Sequence, residues 1–374
     1  MSTFRLTRLS RALGALGLAA GVILAGCAVA NGDTKTQAAV PDLAPLPESK
    51  YNADMAAMGK YLFFDERLSG DAGISCATCH DPAKGWGDGA PLGKGYPASE
   101  HFRNTPGLVN ARFKKYFKWD GQLDGNDLGT LVRNEITEAH LMNMDGRLMQ
   151  ERLKQVPEYN AMWQKFRKDD INGMRVFNVV GEFVKSLTSQ NVPFDNYLKG
   201  NQGAISDEAK RGLALFKGKA QCISCHNGPM LTDNSFHRLG VPENPAVTAE
   251  PLRHITMARH YSTHGMPNYM NTHVDVGRYA ITKNPADKGK FATPSLRELK
   301  YTAPYMHNGM LATLDDVLEF YNRGGGKGGE LKPLGLSAAE KSDLKAFLLS
   351  LSGDAVVMAK PDLPAYQPRQ FGKN

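Results

Sequence analysis

Cysteine is scarce: five in 374 residues is too few for a disulfide scaffold, and an odd number leaves one without a mate. Basic runs are missing as well. Lys114, Lys115 and Lys118 form the densest cluster, which a solvated helix face explains, so nucleic acid finds no support as a partner. The apolar stretches stay short of the ~20 residues needed to span a bilayer, and a mean hydropathy of −0.39 rules out a polytopic membrane protein. Strand-like alternation is absent too. What is present is ordinary: 41% hydrophobic and 22% charged residues exclude wholesale disorder. The length predicts two to three domains at ~150 residues each.

The N-terminus reads as an export signal, residues 1–26. Arg5, Arg8 and Arg11 precede the uncharged run Ala12–Gly26, and Leu24-Ala25-Gly26-Cys27 resembles a bacterial lipobox, whose cysteine is acylated after cleavage. Cleavage after Ala30 is the alternative. The lipobox is preferred because it employs the unpaired cysteine. Residues 27–48 are small, polar and proline-bearing, a tether from lipid anchor to folded body. The expected location is therefore the periplasm or cell envelope, with membrane contact only through Cys27. Without its signal arginines the chain's charge falls from +7 to +4, which identifies no partner.

The other four cysteines form two copies of one motif, Cys76-Ala77-Thr78-Cys79-His80 and Cys222-Ile223-Ser224-Cys225-His226. C-x-x-C-H is the attachment signal of c-type haem: two thiols reach the vinyl groups and the adjacent histidine binds the iron. A thioredoxin-like dithiol needs a βαβ context, which is lacking. A zinc ribbon brings its knuckles within ~15–20 residues, whereas these motifs are far apart. Two covalent haems are the expectation. Gly59 and Phe63 precede the first motif as Gly212 and Phe216 precede the second. This repeat predicts an all-α protein of two tandem cytochrome c-like haem domains with long loops, residues 49–200 and 201–374.

Helical spacing predicts helices over Ala53–Phe64, Asp145–Lys154, Glu158–Arg167 and Asn172–Leu187. Ser206 reads as an N-cap, and Thr313 and Ser337 as further helix starts, the second a capping box. Gly85–Gly95, Gly240–Pro251 and Gly324–Gly335 read as loops. His254, His260, His264 and His273 with Met257, Met266 and Met270 could ligate copper, but their irregular spacing favours a polar loop over the second haem.

These motifs, with Phe102-Arg103-Asn104-Thr105-Pro106, Lys118-Trp119-Asp120-Gly121, Pro193–Leu198, Phe291–Arg297, Thr302–Gly309 and Phe320-Tyr321-Asn322, resemble the bacterial di-haem cytochrome c peroxidases, including MauG-type enzymes. The resemblance implies that Trp119 relays electrons between the haems. It implies an inter-haem calcium held by Asn104 and the carbonyls of Thr302 and Pro304. Tyr321 falls where peroxidases place the methionine ligand of the second haem and MauG-type members a tyrosine; Met306 and Met310 are the alternatives. At the family's distal glutamine and glutamate positions stand Leu131 and Leu141, which carry no proton. Glu135, Glu138 and His140 are the nearby candidates, and the family's inactive-state histidine ligand has no clear match, His101 being misplaced by several residues.

The expected activity is reduction of H2O2 to water at the His80 haem. Electrons would enter through the His226 haem from a small periplasmic donor, a c-type cytochrome or cupredoxin. The alternatives are MauG-like oxidation of a residue on a partner protein and a non-enzymatic electron-transfer cytochrome. A homodimer is compatible with all three.

Overall fold

The computed structural model describes residues 42–97, 99–125 and 127–367. The export signal, Cys27 and most of the tether lie outside these residues.

Nine helices carry the argument, in chain order: α1 (Ala53–Phe63), α2 (Leu128–Thr137), α3 (Gly146–Lys154), α4 (Pro157–Phe166), α5 (Gly173–Ser186), α6 (Asp207–Lys217), α7 (Pro251–Thr263), α8 (Leu314–Asn322) and α9 (Ala338–Ser350). The described strands are two-residue pieces in two antiparallel pairs, β1 (Tyr116–Phe117) with β2 (Leu123–Asp124) and β3 (Phe236–His237) with β4 (Phe291–Ala292). No described helix is long and apolar enough to cross a membrane.

The repeated glycine and phenylalanine have a steric purpose. A Cβ on Gly59 of α1 would stand 2.3 Å from the Val179 carbonyl oxygen of α5, and one on Gly212 of α6 would stand 2.0 Å from the Asp343 carbonyl oxygen of α9. Only glycine lets each helix pair approach so closely. One turn on, Phe63 meets Phe183 at 5.3 Å between ring centroids, and Phe216 meets Phe347 at 5.0 Å. Each pair anchors its own apolar cluster: Met58, Leu62, Phe63, Val180 and Phe183 in the first, Phe194, Phe216, Leu344 and Phe347 in the second. Burying one such phenylalanine contributes about 1.5–3 kcal/mol. The same helix-on-helix brace therefore stands behind each motif.

Helix starts follow the expected chemistry. Ser206 accepts from Ala209 N, and Thr313 with Asp316 and Ser337 with Glu340 form reciprocal capping boxes.

Four expectations need correction. Gly240–Pro251 is not all loop, since Pro245–Ala249 forms a short helix capped by Asn244. Lys114, Lys115 and Lys118 share no helix: Lys114 closes a single 3-10 turn, the chain then pairs as β1, and Lys118 turns at φ 64°. Helix α2 goes unpredicted, although Asp127 caps it and Leu128, Val132 and Ile136 bury at i, i+4 and i+8. The histidine-rich segment is largely helix α7 rather than a polar loop. Glu250 caps it, Pro251 takes its first position, and Met257 and Tyr261 bury one turn apart. Its buried side packs with Leu92 and Phe102, before the second motif in the chain.

Candidate functional site

Both C-x-x-C-H motifs open into one cavity of about 1040 Å³. Cys76, Cys79, His80, Cys222, Cys225 and His226 all line it, with Trp119 and Tyr321. The four thiols are unpaired. Burial pushes Cys76 and Cys222 up to about 12 and Cys79 to about 11.

The two histidines are latched alike. His80 Nδ1 lies 2.8 Å from the Trp86 carbonyl oxygen, and His226 Nδ1 lies 2.9 Å from that of Leu231. Both carbonyls are aimed by residues in the left-handed region, Trp86 at φ 62° and Leu231 at φ 50°, a conformation that costs a non-glycine residue about 1 kcal/mol. Nδ1 is thereby committed to a backbone acceptor and Nε2 is left to ligate iron, the arrangement that fixes tautomer and ring orientation in metal-bound histidine. Free thiols, latched imidazoles and a cavity of this size fit two haems. Cys225, Asp233 and His237 also converge closely enough for a metal ion, but haem attachment consumes the cysteine.

The candidate acid–base groups Glu135, Glu138 and His140 line the same cavity. Glu135 on α2 is ion-paired with Lys118. Glu138, just past α2, has His140 Nδ1 at 3.9 Å and Arg259 of α7 at 3.9 Å. The His140 Nδ1 is buried without a hydrogen-bond partner. Burial, then Lys118, His260 and Arg259, depress His140 to about 3, so its ring is neutral and has a free nitrogen. The His101 ring stacks on it at 5.9 Å, which places this residue beside the pocket. Leu131 and Leu141 line the cavity and add only apolar surface.

Trp119 is held from both sides. Its indole N–H donates to the Asn104 carbonyl at 2.9 Å, and its own carbonyl accepts from Ala292 N of β4 at 2.8 Å. Behind it runs a buried charge network that sequence reasoning missed. Arg103 donates to Asp120 Oδ2 at 2.6 Å and to Asp275 at 2.6 and 2.8 Å, while His260 Nε2 lies 2.9 Å from Asp120. Desolvation opposes ionisation of Asp120, but Arg103 and His260 outweigh it and hold the carboxyl far below its usual range. The signal in sequence was Arg103 and Asp120 standing inside the quoted motifs; nothing local pointed to Asp275, and His260 stood out only among the candidate copper ligands.

Tyr321 faces the second motif. Burial, then the thiols of Cys222 and Cys225, drives its hydroxyl well above the ordinary phenol value. Met306 lines the same cavity, as does Met230, which sequence reasoning passed over; Met310 is not among the lining residues. Asn104, Thr302 and Pro304 all line the cavity. The Asn104 side chain donates through Nδ2 to the Ala90 carbonyl, and its Oδ1 is a hard oxygen donor.

Residues 53–203 match the family model described as di-haem cytochrome c peroxidase. Over 98% of both chains the protein is 62% identical to the cytochrome-c peroxidase IdrP2 of Denitromonas iodatirespirans. The chain belongs to the di-haem cytochrome c peroxidase family. This di-haem peroxidase is also 36% identical to the methylamine utilization protein MauG of Methylorubrum extorquens, over 87% of this chain and 86% of that one. With the cytochrome c551 peroxidase of Nitrosomonas europaea it shares 30% identity over 97% and 95%. The crystal structure of a MauG-like protein associated with microbial copper homeostasis superposes with a TM-score of 0.69 at 23% identity, covering 88% of this chain and 99% of that one; that likeness concerns the fold alone. Membership implies two haem c groups, bound where the motifs open into the cavity.

Proposed function

We propose that this di-haem peroxidase reduces H2O2 to water at the His80 site, with electrons from a small donor protein entering at the His226 site. The observation that carries this is an asymmetry across the cavity. Near the first motif Glu135 and Lys118 lie close enough to act on His80, with the unpartnered neutral His140 near Lys118; near the second lies the phenol of Tyr321. Bound haem supplies the iron that accepts and delivers two electrons.

The remaining tasks fall to side chains. H2O2 with two electrons and two protons gives two waters, and breaking the O–O bond needs a group that takes a proton from the near oxygen and returns it to the far one. His140, neutral with Nδ1 free, is suited to that, and Glu138 3.9 Å away stabilises the imidazolium that forms. Glu135 holds Lys118 and is set aside. Trp119, in the wall shared by both sites, offers an oxidisable ring for electron passage. Asn104, Thr302 and Pro304 would hold a calcium ion there. Division into haem domains at 200/201 follows from the two helix braces. A periplasmic address, lipid-anchored at Cys27, follows from covalent haem attachment outside the cytoplasm and from the lipobox.

Tyr321 favours a second reading, in which the same oxidising equivalents modify a residue on a partner protein. Absorption and EPR spectra before and after peroxide test both. We expect one high-spin haem that responds to peroxide, and peroxide consumption driven by reduced cytochrome c. Oxidation of a partner without such consumption would favour the second reading. Two low-spin, fully capped haems would leave only an electron-transfer cytochrome.

A further inference from the structure

The cations lining the cavity are matched by acids, with one exception among those that are not exposed. Arg103 has Asp120 and Asp275, Lys118 has Glu135, and Arg297 has Asp195. Lys114 is partly buried, lines the cavity, and among the described side chains and backbone has the Gly107 carbonyl as its hydrogen-bond partner, at a long 3.4 Å. Among the described side chains no carboxylate lies within ion-pair distance of it. An ammonium taken out of water without an anion is costly, by several kcal/mol after relaxation, and proteins avoid leaving one so.

The cavity that receives this ammonium is also the one that fits two haems, and each haem c keeps two carboxylates after its thioether bonds have formed. We propose that the Lys114 ammonium is the ion-pair partner of a haem propionate in this cavity. The proposal rests on the two-haem reading and adds a residue that neither motif contains. Without the anion, burial pulls Lys114 down to about 8. With it, the charged form is retained, and the positive charge sits at the porphyrin edge. There it disfavours ferric iron relative to ferrous and raises that haem's potential.

The test uses the full holoprotein. A pyridine haemochrome count of two haems per chain, in wild type and in Lys114→Met, establishes the two-haem reading; any other count in the wild type sinks that reading without touching the lysine. Spectroelectrochemistry then gives the midpoint potential of each haem, with EPR assigning the waves. We expect Lys114→Met to lower one midpoint and Lys114→Arg to leave it near wild type. A shift at either haem supports the pairing and names which one carries the propionate. Both midpoints unchanged in Lys114→Met would overturn it.

If Lys114→Met fails to mature with both haems, an NMR titration of labelled lysine in wild-type holoprotein decides. Loss of the Lys114 proton only above its ordinary value of 10.5 supports the pair. Loss near 8 overturns it, since a lysine paired with a carboxylate does not titrate so low.

Discussion

The two C-x-x-C-H sites share everything behind the histidine and almost nothing in front of it. Behind each stands a glycine-notched helix pair, Gly59 on α5 and Gly212 on α9, and a left-handed residue whose carbonyl latches Nδ1. In front, Glu135 and Lys118 lie close enough to act on His80, while Tyr321 lies near Cys222 and Cys225; His140, His101 and Leu141 also line the cavity. The shared part builds a haem protein, and the unshared part decides what each haem does. Function is to be tested on the far wall of the cavity, because the motif wall is equivalent at both sites.

The largest expected effect comes from making the first far wall inert. Removing a positioned acid–base group costs about 10²–10⁴-fold in rate. We expect His140→Leu to lower kcat/KM for peroxide by that factor while the resting spectrum of both haems stays unchanged. Glu138→Gln should cost less, since it acts through His140. Loss of activity in Glu138→Gln with His140→Leu unaffected would reverse the assignment.

A second comparison breaks the link between the sites. Asp120 and Arg103 come from the chain before residue 200, and Asp275 and His260 from after it. Together they form one buried network beside Trp119. Removing one partner of a buried pair costs about 3–5 kcal/mol. Asp120→Ala should lower the denaturant midpoint accordingly and slow electron passage between the haems; a stability change below about 1 kcal/mol would show the network to be solvent-screened.

The shared part of the comparison was legible in sequence and much of the unshared part was not. The cysteines, the histidines that follow them, the paired Gly and Phe positions and the capping boxes all act within a turn or two of chain, so local pattern reveals them. Lys114 and helix α7 show the limit. A lysine cluster looks the same whether it lies on a solvated helix or turns inward through a hairpin, because the deciding partner, the Gly107 carbonyl, belongs to another turn. Helix α7 did carry a local signal, Glu250-Pro251 followed by Met257 and Tyr261, but its histidines drew attention to ligand spacing. Its contact with Asp120 and Phe102 spans well over a hundred residues, and no periodicity encodes that.

The second far wall can be tested by changing its ligand chemistry. A thioether raises haem potential relative to a phenolate, and axial ligands shift potentials over a range of about 0.8 V. Tyr321→Met should raise the midpoint of the second haem, by on the order of 100 mV, and leave the first within a tenth of that shift. The midpoint measured by spectroelectrochemistry checks this. An unchanged low-spin spectrum in Tyr321→Phe would remove Tyr321 as a ligand and turn attention to Met306 or Met230.

The smallest effect compares the sites as proton sinks. Burial depresses His140 to about 3, and His307, stacked on Phe291 of β4 at 3.6 Å, to about 4. The ordinary histidine value is 6.5. Between those limits the unfolded chain binds protons that the folded chain refuses, so these groups give full stability above ~6.5 and lose it as pH falls toward 4. Each contributes a slope of about 1.4 kcal/mol per pH unit in that window. Denaturant midpoints of the ferric holoprotein from pH 7 to 4 should therefore fall, and His140→Gln should flatten the decline by one proton's worth. If His140→Gln leaves the slope intact while His307→Gln flattens it, His140 binds its proton equally well folded and unfolded, and the proton acceptor must be sought elsewhere in the cavity, with the Glu138 carboxylate next in line.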